Sequence, residues 1–247
     1  MPLGQAEETR AVMLELCPEG FEESETGGAL ELAAYVDGRG EQRLRRVFGA
    51  LETSEVAPGW ENAWRQFHHA VRVGPIWVGP PWESHDLESV TVTIDPGQAF
   101  GTGAHPTTRL CIELLLEQEP TSLADLGCGS GVLAIVAATL GFAPVYALDR
   151  EEAAVQAALS NARANGVALE VQRADVLADP LPAVELVLVN LELGLVERAL
   201  SRVSARLGIL SGYLAGDRVE PSGWERLDRR ERDGWVAELF ERLTPAS

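Results

Sequence analysis

Short apolar segments alternate with helical segments through the second half of this chain, and this alternation limits the fold more than any other feature. Apolar residues recur at helical spacing near 130–141, 151–165 and 193–207. The short apolar segments around them are Leu123–Leu126, Pro144–Leu148, Leu169–Arg173 and Val184–Val189. Strands that alternate with helices in this way form a parallel sheet covered on both faces. We therefore predict an α/β fold.

The end of the chain departs from this alternation. Gly208–Leu214 is a further candidate strand, and two more flank Asp233-Gly234. The sequence thus predicts a C-terminal antiparallel hairpin on an otherwise mostly parallel sheet. A purely parallel nucleotide-binding sheet fits this pattern less well.

The first 95 residues have a different character. Residues 1–58 predict a small α+β domain, with helices near 5–16 and 42–51, strands near 29–36 and 52–57, and turns at 26–28 and 37–40. A Pro- and Trp-rich connector and arm follows over 59–95, with a helix over 60–67, an edge strand or extended arm over 73–82 and a strand over 89–95. The third predicted domain is 96–247.

A glycine-rich loop follows the first strand of the alternating region, in the sequence Asp125-Leu126-Gly127-Cys128-Gly129-Ser130-Gly131. Glycines at such a junction allow a tight turn and let a ligand approach the backbone. A dinucleotide-binding loop would have its third glycine at position 132, where this chain has Val132. The pattern, with Asp125 two residues ahead of Gly127, favours a ligand that carries an ammonium group and no phosphate.

Carboxylates end the next two predicted strands. Asp149 ends the second strand, where its two oxygens can accept hydrogen bonds from both hydroxyls of a ribose. The alternative role for Asp149 is the N-cap of the helix that begins near Glu151. Asp175, after the third strand, fits either the edge of an adenine ring or an ordinary turn.

Asn190 ends the fourth predicted strand. Strand ends at the carboxyl edge of a parallel sheet line the ligand crevice, so its amide is expected near the reacting group. The alternative is a helix N-cap. The residues that follow, Leu191-Glu192-Leu193, contain neither proline nor an aromatic ring. Enzymes that methylate planar amide or nucleobase nitrogens have a proline and an aromatic ring at this point. Such nitrogens are therefore disfavoured here as acceptors of the methyl group.

The segment Asp95–Arg109 combines glycines with a helix start. Gly97, Gly101 and Gly103 can form a flexible lid, and His105-Pro106-Thr107-Thr108 opens the helix that runs through Leu110–Leu116. We expect His105 to make a hydrogen bond in this segment and not to act in acid–base chemistry.

The composition excludes several classes of protein. The formal net charge is −18, which opposes binding to a phosphate backbone and favours a basic partner, although acidity that only maintains solubility fits equally well. The chain has no apolar run long enough for a membrane span and no secretory signal. Its three cysteines form no C-x-x-C pair, so neither a disulfide framework nor a metal site is expected. These features indicate a cytoplasmic protein.

Five stretches together resemble the bacterial ribosomal protein L11 methyltransferase family. They are AFGTGAHPTTRLC, DLGCGSGVLAIVA, ALDREEAAVQAALSNARANGV, LVLVNLELG and GWVAELFER. The resemblance covers 60–247, and its most specific part is the first element beside the glycine-rich loop. It implies a Rossmann-like S-adenosylmethionine methyltransferase domain behind an N-terminal substrate-recognition domain.

The resemblance also implies a cofactor, a substrate and a site. The cofactor is S-adenosylmethionine, and the substrate amines are lysine side chains and the α-amino group of a large-subunit ribosomal protein. We expect that basic protein to be bound free rather than on RNA, by a monomer without direct nucleic-acid or membrane contact. The matching positions for cofactor contacts are Thr108, Gly127, Gly129, Asp149 and Asn190, with Phe100 and Gly103 in the lid. Asn190 is also the expected catalytic residue.

Glu192 departs from the family pattern, because the family has a smaller and uncharged stretch after the asparagine. Two alternatives therefore stay open: methylation of a different protein lysine, and a non-catalytic homologue that binds S-adenosylmethionine. A small-molecule methyltransferase is disfavoured by the separate N-terminal domain.

Overall fold

The computed structural model describes residues 69–84, 89–95, 101 and 103–243, together with residues 9, 12–13, 16–17, 22–26, 29–34, 36, 38–49 and 51–53. The chain divides into two compact units, Met1–Trp60 and Glu61–Ser247. Each unit contains a hydrophobic core cluster of its own. Among the described helices, none has both the length and the apolar character that a membrane span requires.

The first unit contains a two-stranded antiparallel sheet and a helix. Strand β1 (Glu22–Thr26) pairs with β2 (Ala29–Ala33), and helix α1 spans Gly38–Phe48. Leu44 of α1 is buried with Met13 and Cys17. The sequence predicted β2 and most of α1. Strand β1 was missed because its sequence, EESET, has no apolar residue to mark a buried face.

Some predictions for this unit were wrong. A turn was expected at 37–40, but Gly38 begins α1. The first turn of a helix lacks intrahelical partners for its amides in any case, so glycines there do not prevent the helix. Residues 51–53 have no regular structure where a strand over 52–57 was expected. The remainder of that strand, and all of the predicted helix 5–16 except its helical residues 9, 12, 13 and 16, lies outside the described residues.

A small three-stranded sheet begins the described part of the second unit. Strand β3 (Val71–Val73) pairs antiparallel with β4 (Ile76–Gly79), and β4 pairs in parallel with β5 (Val90–Thr93). Side chains of all three strands are buried in the same core cluster as helix α2 (Pro106–Leu115). The predicted arm therefore contributes to the core of this unit. The predicted helix over 60–67 lies outside the described residues.

The larger sheet has seven strands in the order β11-β12-β10-β9-β6-β7-β8. They are β6 (Leu123–Leu126), β7 (Val145–Asp149), β8 (Glu170–Arg173), β9 (Leu186–Asn190), β10 (Leu207–Leu214), β11 (Trp224–Arg232) and β12 (Trp235–Arg242). Strands β6 to β10 are parallel, whereas β12 runs antiparallel between β10 and β11. This confirms the predicted Rossmann-like sheet with a C-terminal antiparallel hairpin.

Helices cover both faces of this sheet, as the apolar strands require. Helices α2, α3 (Val132–Thr139) and α4 (Glu152–Ala164) contribute to one core cluster, and α5 (Leu193–Leu200) contributes to the other. Successive residues of a strand alternate between the clusters: Leu186 and Leu188 face the first, Val187 and Val189 the second. Helix α5 is shorter than the predicted 193–207, because the chain turns after Ser201 to bring Val203 and Ala205 into the core.

A buried carboxylate holds the three C-terminal strands together. Glu238 of β12 is fully buried. The Tyr213 hydroxyl of β10 donates to its Oε2 at 2.8 Å, and the guanidinium groups of Arg226 and Arg229 on β11 donate to its Oε1 at 2.8 and 3.0 Å. A buried charge is tolerated only when it is paired in this way, so the network favours a single register of the hairpin.

Candidate active site

The order of the parallel strands reverses at β6, which lies between β7 and β9. Helices that leave neighbouring strands on opposite faces diverge at such a point and leave a crevice at the carboxyl ends of the strands. A cavity of about 150 Å³ lies there. Its lining comes from the segments that follow four strands: Gly127 after β6, Asp149 and Arg150 at the end of β7, Ala174–Leu177 after β8, and Leu191 and Leu195 after β9.

The glycine-rich loop after β6 makes its hydrogen bonds within the protein. The amides of Gly127 and Cys128 donate to the Leu148 carbonyl at 2.8 and 3.0 Å, and the Gly129 amide donates to Asp149 Oδ2 at 2.9 Å. A loop that binds a pyrophosphate keeps such amides for the phosphate oxygens. These three amides already have acceptors within the protein.

Steric constraints explain two of the glycines. A Cβ atom on Gly127, whose φ is 78°, would collide with the side chain of Leu191. A Cβ atom on Gly131, whose φ is 82°, would lie 3.0–3.1 Å from Ala158 of helix α4, which is closer than an ordinary van der Waals contact. The loop can therefore lie close to both neighbours only with glycine at these positions.

Asp125 does not reach the cavity. Its side chain is 2% exposed, and its Oδ2 accepts a hydrogen bond from the Ala134 amide in the first turn of helix α3. Burial, helped by the nearby Asp149, raises the pKa of this carboxyl to about 7, against its usual 3.8, although the hydrogen bond from Ala134 lowers it. Asp125 therefore does not line the cavity in which a ligand with an ammonium group was expected; its carboxyl instead satisfies an amide of α3.

Asp149, the last residue of β7, forms a hydrogen bond to the glycine-rich loop. Its Oδ2 accepts from the Gly129 amide, and its Oδ1 accepts from the Glu151 amide at 3.0 Å. The N-cap residue of helix α4 is Glu151, so Asp149 is not the N-cap that the alternative interpretation required. Each carboxylate oxygen has a second lone pair. Asp149 lines the cavity with these acceptors still available.

Asp175 lies in a turn after strand β8. Its Oδ1 accepts from the Leu177 amide at 2.8 Å, while its own amide donates to Asp179 Oδ2 at 2.8 Å. Asp175 therefore has the turn role that the sequence suggested, and it also lines the cavity. The sequence did not single out the apolar wall, formed by Val176, Leu177, Leu191 and Leu195. Their position just after strands β8 and β9 is the feature from which it could have been predicted.

Asn190 is the last residue of β9 and lies opposite Ser211 of β10. The N-cap of helix α5 is Glu192, so the N-cap interpretation of Asn190 was wrong. The turn after Asn190 is held from β10: the Leu191 amide donates to the Ser211 carbonyl at 3.2 Å, and Gly212 lies directly against the Leu191 backbone. Asn190 is partly buried, and Glu192 is exposed.

The segment before helix α2 contacts the loop from another side. Ser130, which is fully buried, donates from its hydroxyl to the Gly101 carbonyl. His105 is the N-cap of α2, and its Nδ1 lies 2.7 Å from the Thr107 hydroxyl oxygen. Burial lowers the pKa of His105, which favours the neutral ring and agrees with the expected structural role.

The predicted site residues that the structure describes thus fall into two groups. Gly127 and Asp149 line the cavity. The Gly129 amide is hydrogen-bonded to Asp149, and Asn190 directly precedes the lining residue Leu191. Gly103 and Thr108 are both buried outside that lining. Phe100 lies outside the described residues.

A larger cavity, of about 580 Å³, lies at the opposite edge of the sheet, near the amino ends of β6, β9 and β10. Two arginines line it. Arg206 is paired with Glu185 and Glu241, and Arg242 donates to the carbonyls of Ala205 and Val203. Because these cations already have partners and the carboxyl ends of the strands are remote, we assign it no ligand.

Comparison with known proteins identifies one family. The family model for ribosomal protein L11 methyltransferase (PrmA) matches residues 28–240. The ribosomal protein L11 methyltransferase of Methylococcus capsulatus is 38% identical over 230 residues, 86% of this chain and 77% of that protein. That of Dictyoglomus thermophilum is 35% identical over 192 residues, 71% of this chain and 64% of that protein.

Solved structures agree with this match. A ribosomal protein L11 methylase from Lactobacillus delbrueckii subsp. bulgaricus has a TM-score of 0.61 at 26% identity, over 71% of this chain and 100% of that one. A putative methyltransferase from Escherichia coli shares the fold, with a TM-score of 0.51 at 17% identity over 70% of this chain and 98% of that one. The matched part spans less than two thirds of several curated relatives, for example 57% of the one from Serratia proteamaculans.

Proposed function

Because the chain belongs to the ribosomal protein L11 methyltransferase family, we propose that it transfers methyl groups from S-adenosylmethionine to amino groups of ribosomal protein L11. The observation that carries this proposal is the cavity at the strand switch point, which is lined by the Asp149 carboxylate and by apolar side chains, with Asn190 directly before the lining residue Leu191. The amines are lysine side chains and the α-amino group.

The chemistry of the cavity fits the cofactor. Asp149 can accept from both ribose hydroxyls, and Val176, Leu177 and Leu195 offer the apolar surface that an adenine ring requires. The internally bonded loop amides and the carboxylates of Asp149 and Asp175 disfavour a phosphate in this space. In this proposal the cofactor lies close to the backbone of Gly127 and Gly129, and Thr108, Phe100 and Gly103 belong to the lid segment that covers it.

When bound, the cofactor supplies an electrophilic methyl group on a sulfonium sulfur. Transfer to an amine is an in-line displacement, so the task of the protein is alignment and exclusion of water. A lysine amine has a reference pKa near 10.4, so exposing its lone pair at pH 7.4 costs roughly 4 kcal/mol. A carboxylate partner would stabilise the ammonium form and increase that cost.

Asn190 meets this requirement because its amide is neutral. Its side-chain carbonyl can accept a hydrogen bond from the attacking amine and orient the lone pair without holding the proton. Glu192 follows two residues later and is exposed, at the N-cap of α5, where its backbone carbonyl accepts from Leu195 at 2.8 Å. The proposal assigns Glu192 no contact with the amine.

We further propose that the substrate is the free basic protein and that the enzyme acts as a cytoplasmic monomer. The net charge of −18 favours encounter with a basic partner and opposes direct contact with RNA. The first unit is assigned to substrate recognition and the second to catalysis.

The test is a methylation assay with purified protein, methyl-labelled cofactor and unmethylated ribosomal protein L11. The chain contains no lysine, so any label found on a lysine must lie in the substrate. Labelled L11, with the sites mapped by mass spectrometry, is the expected result. A lysate from cells that lack the gene provides the alternative substrates. Label on a different protein alone would replace L11 as the substrate, and cofactor binding without label on any protein would indicate a non-catalytic homologue.

A further inference from the structure

Asn161 of helix α4 and Asn165, the C-cap residue of that helix, form hydrogen bonds to the end of strand β5 and to the segment directly after it. The Asn165 side chain accepts from the Thr93 amide at 2.8 Å and donates to the Thr93 carbonyl at 2.6 Å. One helical turn earlier, the Asn161 side chain accepts from the Asp95 amide at 3.0 Å and donates to the Asp95 carbonyl at 3.2 Å. The two amides therefore satisfy the strand edge as a neighbouring strand would.

Only one of these asparagines also reaches the glycine-rich loop. Asn161 Nδ2 donates to the Ser130 carbonyl at 3.0 Å, whereas the additional bond of Asn165 is to the Asn161 carbonyl within the same helix. Asn161 is 2% exposed, and Ser130 is fully buried. A buried side-chain amide that makes these three hydrogen bonds can satisfy them in only one position. Asn161 therefore fixes Ser130 relative to the segment at the end of β5.

The position of Ser130 determines the position of the cavity wall. Ser130 follows Gly129, whose amide donates to the Asp149 carboxylate, and precedes Gly131, the N-cap of helix α3. A shift of the Ser130 carbonyl would move the Gly129 amide away from Asp149 and change the orientation of that carboxylate at the cavity. The hydroxyl bond from Ser130 to Gly101 ties the same residue to the segment before α2.

We propose that Asn161 is a positioning residue for the cofactor site: it fixes the glycine-rich loop, and through it Asp149, from a helix that does not itself line the cavity. Asn165 is the matched residue that stabilises β5 without acting on the loop. This inference rests on the proposed function only for the identity of the cofactor, because the position of the loop can be measured without it.

The experiment compares Asn161→Asp with Asn165→Asp. Each variant keeps the oxygen that accepts from β5 and loses the amide donors. We expect both to lower the melting temperature. In calorimetry with S-adenosylmethionine, Asn161→Asp should bind at least tenfold more weakly than the wild type, and Asn165→Asp should stay within about threefold. Equal changes in affinity for the two variants, or wild-type affinity in Asn161→Asp, would overturn the proposal.

A second measurement separates failure of this inference from failure of the proposed function. Hydrogen exchange of the Gly129 amide reports its bond to Asp149 in the free protein. Exchange should be at least tenfold faster in Asn161→Asp and unchanged in Asn165→Asp, whether or not the wild type binds S-adenosylmethionine. If Asn161→Asp does not fold, Asn161→Ser keeps one donor in a smaller side chain and is compared with Asn165→Ser. Slow exchange of Gly129 in a folded Asn161 variant contradicts the proposal.

Discussion

Asp149 is the residue on which the proposed cofactor site most depends. It accepts from the amides of Gly129 and Glu151 and lines the cavity. Asp149→Ala removes the acceptors for two ribose hydroxyls, and hydrogen bonds to a charged group contribute about 1.5–3 kcal/mol each. Calorimetry should therefore show S-adenosylmethionine binding at least tenfold weaker than in the wild type.

The control for this variant is Glu225→Ala, which removes an exposed carboxylate of strand β11, outside the cavity lining, and changes the net charge equally. It should leave the affinity within about threefold. If Asp149→Ala binds with wild-type affinity while circular dichroism shows an intact fold, Asp149 does not hold the ribose.

Asn190 tests whether the acceptor amine is oriented by a neutral group. Asn190→Ala should reduce methyl transfer far more than cofactor binding. Asn190→Asp should be nearly as harmful, because the added carboxylate favours the ammonium form, and each unit of raised amine pKa lowers the reactive fraction about tenfold. A pH–rate profile should show partial recovery of the Asp variant at high pH and none of the Ala variant.

The structure sharpens this comparison. A helix cap would tolerate aspartate, but the N-cap of α5 is Glu192, so capping cannot explain an effect at Asn190. Near-normal turnover of Asn190→Asp at neutral pH would exclude the amine-orienting role.

Single residues also show what sequence reasoning can reach. Asp149 and Gly127 were predicted from their distance along the chain after a strand, and both line the cavity. Asn161 was not predicted as functional, because its partners Asp95 and Ser130 lie 66 and 31 residues away. A polar residue within a helix carries no local mark that distinguishes a buried hydrogen-bonding role from a solvated one.

At the scale of elements, the bulge in β10 holds the turn that follows β9. The register of β10 shifts between Ser211 and Tyr213, and Gly212 has a φ of 99°. A Cβ atom on Gly212 would collide with the Leu191 backbone, which cannot move without moving Asn190. Gly212→Ala should therefore lower methyl transfer at least tenfold although the residue is outside the cavity lining.

Gly208→Ala on the same strand is the matched control for this variant. Gly208 has no positive φ, and its Cβ atom would have neighbours at 3.4–3.6 Å, an ordinary contact distance. Its activity should stay within about threefold of the wild type. Equal losses in the two variants would show that β10 is sensitive to any added methyl group, and the bulge would then have no special role.

The start of helix α3 predicts a pH dependence of stability. Burial raises the Asp125 pKa to about 7 in the folded protein, against 3.8 for the free side chain. Between these values the folded state holds a proton that the unfolded state has lost, so the free energy of unfolding decreases as the pH rises from about 4 to about 7. The loss is at most about 1.4 kcal/mol per pH unit and is complete above the folded pKa.

Asp125→Asn should abolish this part of the pH dependence. The asparagine carbonyl can still accept from the Ala134 amide, so the helix start keeps its hydrogen bond. Urea unfolding of both proteins at pH 5 and pH 8 should show the variant gaining stability relative to the wild type at the higher pH. A constant difference between the two proteins at both pH values would show that Asp125 does not titrate in this range.

Element boundaries show where sequence patterns suffice. The hairpin at Asp233-Gly234 was predicted correctly, and both residues have the positive φ that a two-residue turn demands, 52° and 79°. Helix α5 was predicted too long, because Val203 and Ala205 continue the apolar pattern while they are buried in another segment. Tertiary packing decided that boundary, and local periodicity cannot show it.

At the scale of the whole molecule, the chain divides at Trp60–Glu61 into units with separate cores. Every hydrogen bond described for the cavity lies within the second unit, and so do the strands β3 to β5 that help to build its core. The proposed division of labour, with substrate recognition in the first unit and catalysis in the second, can therefore be tested by expressing the second unit alone.

A protein that begins at Glu61 should fold and bind S-adenosylmethionine with an affinity within about threefold of the full chain. It should lose methylation of folded ribosomal protein L11, because the proposed recognition unit is absent. A short unfolded lysine peptide, which needs no docking, is the control substrate, and both proteins should methylate it equally slowly. A matched form that begins at Glu88 should fail to fold, because it lacks the buried residues Val73, Ile76 and Val78. Full-rate methylation of L11 by the form that begins at Glu61 would remove substrate recognition from the first unit.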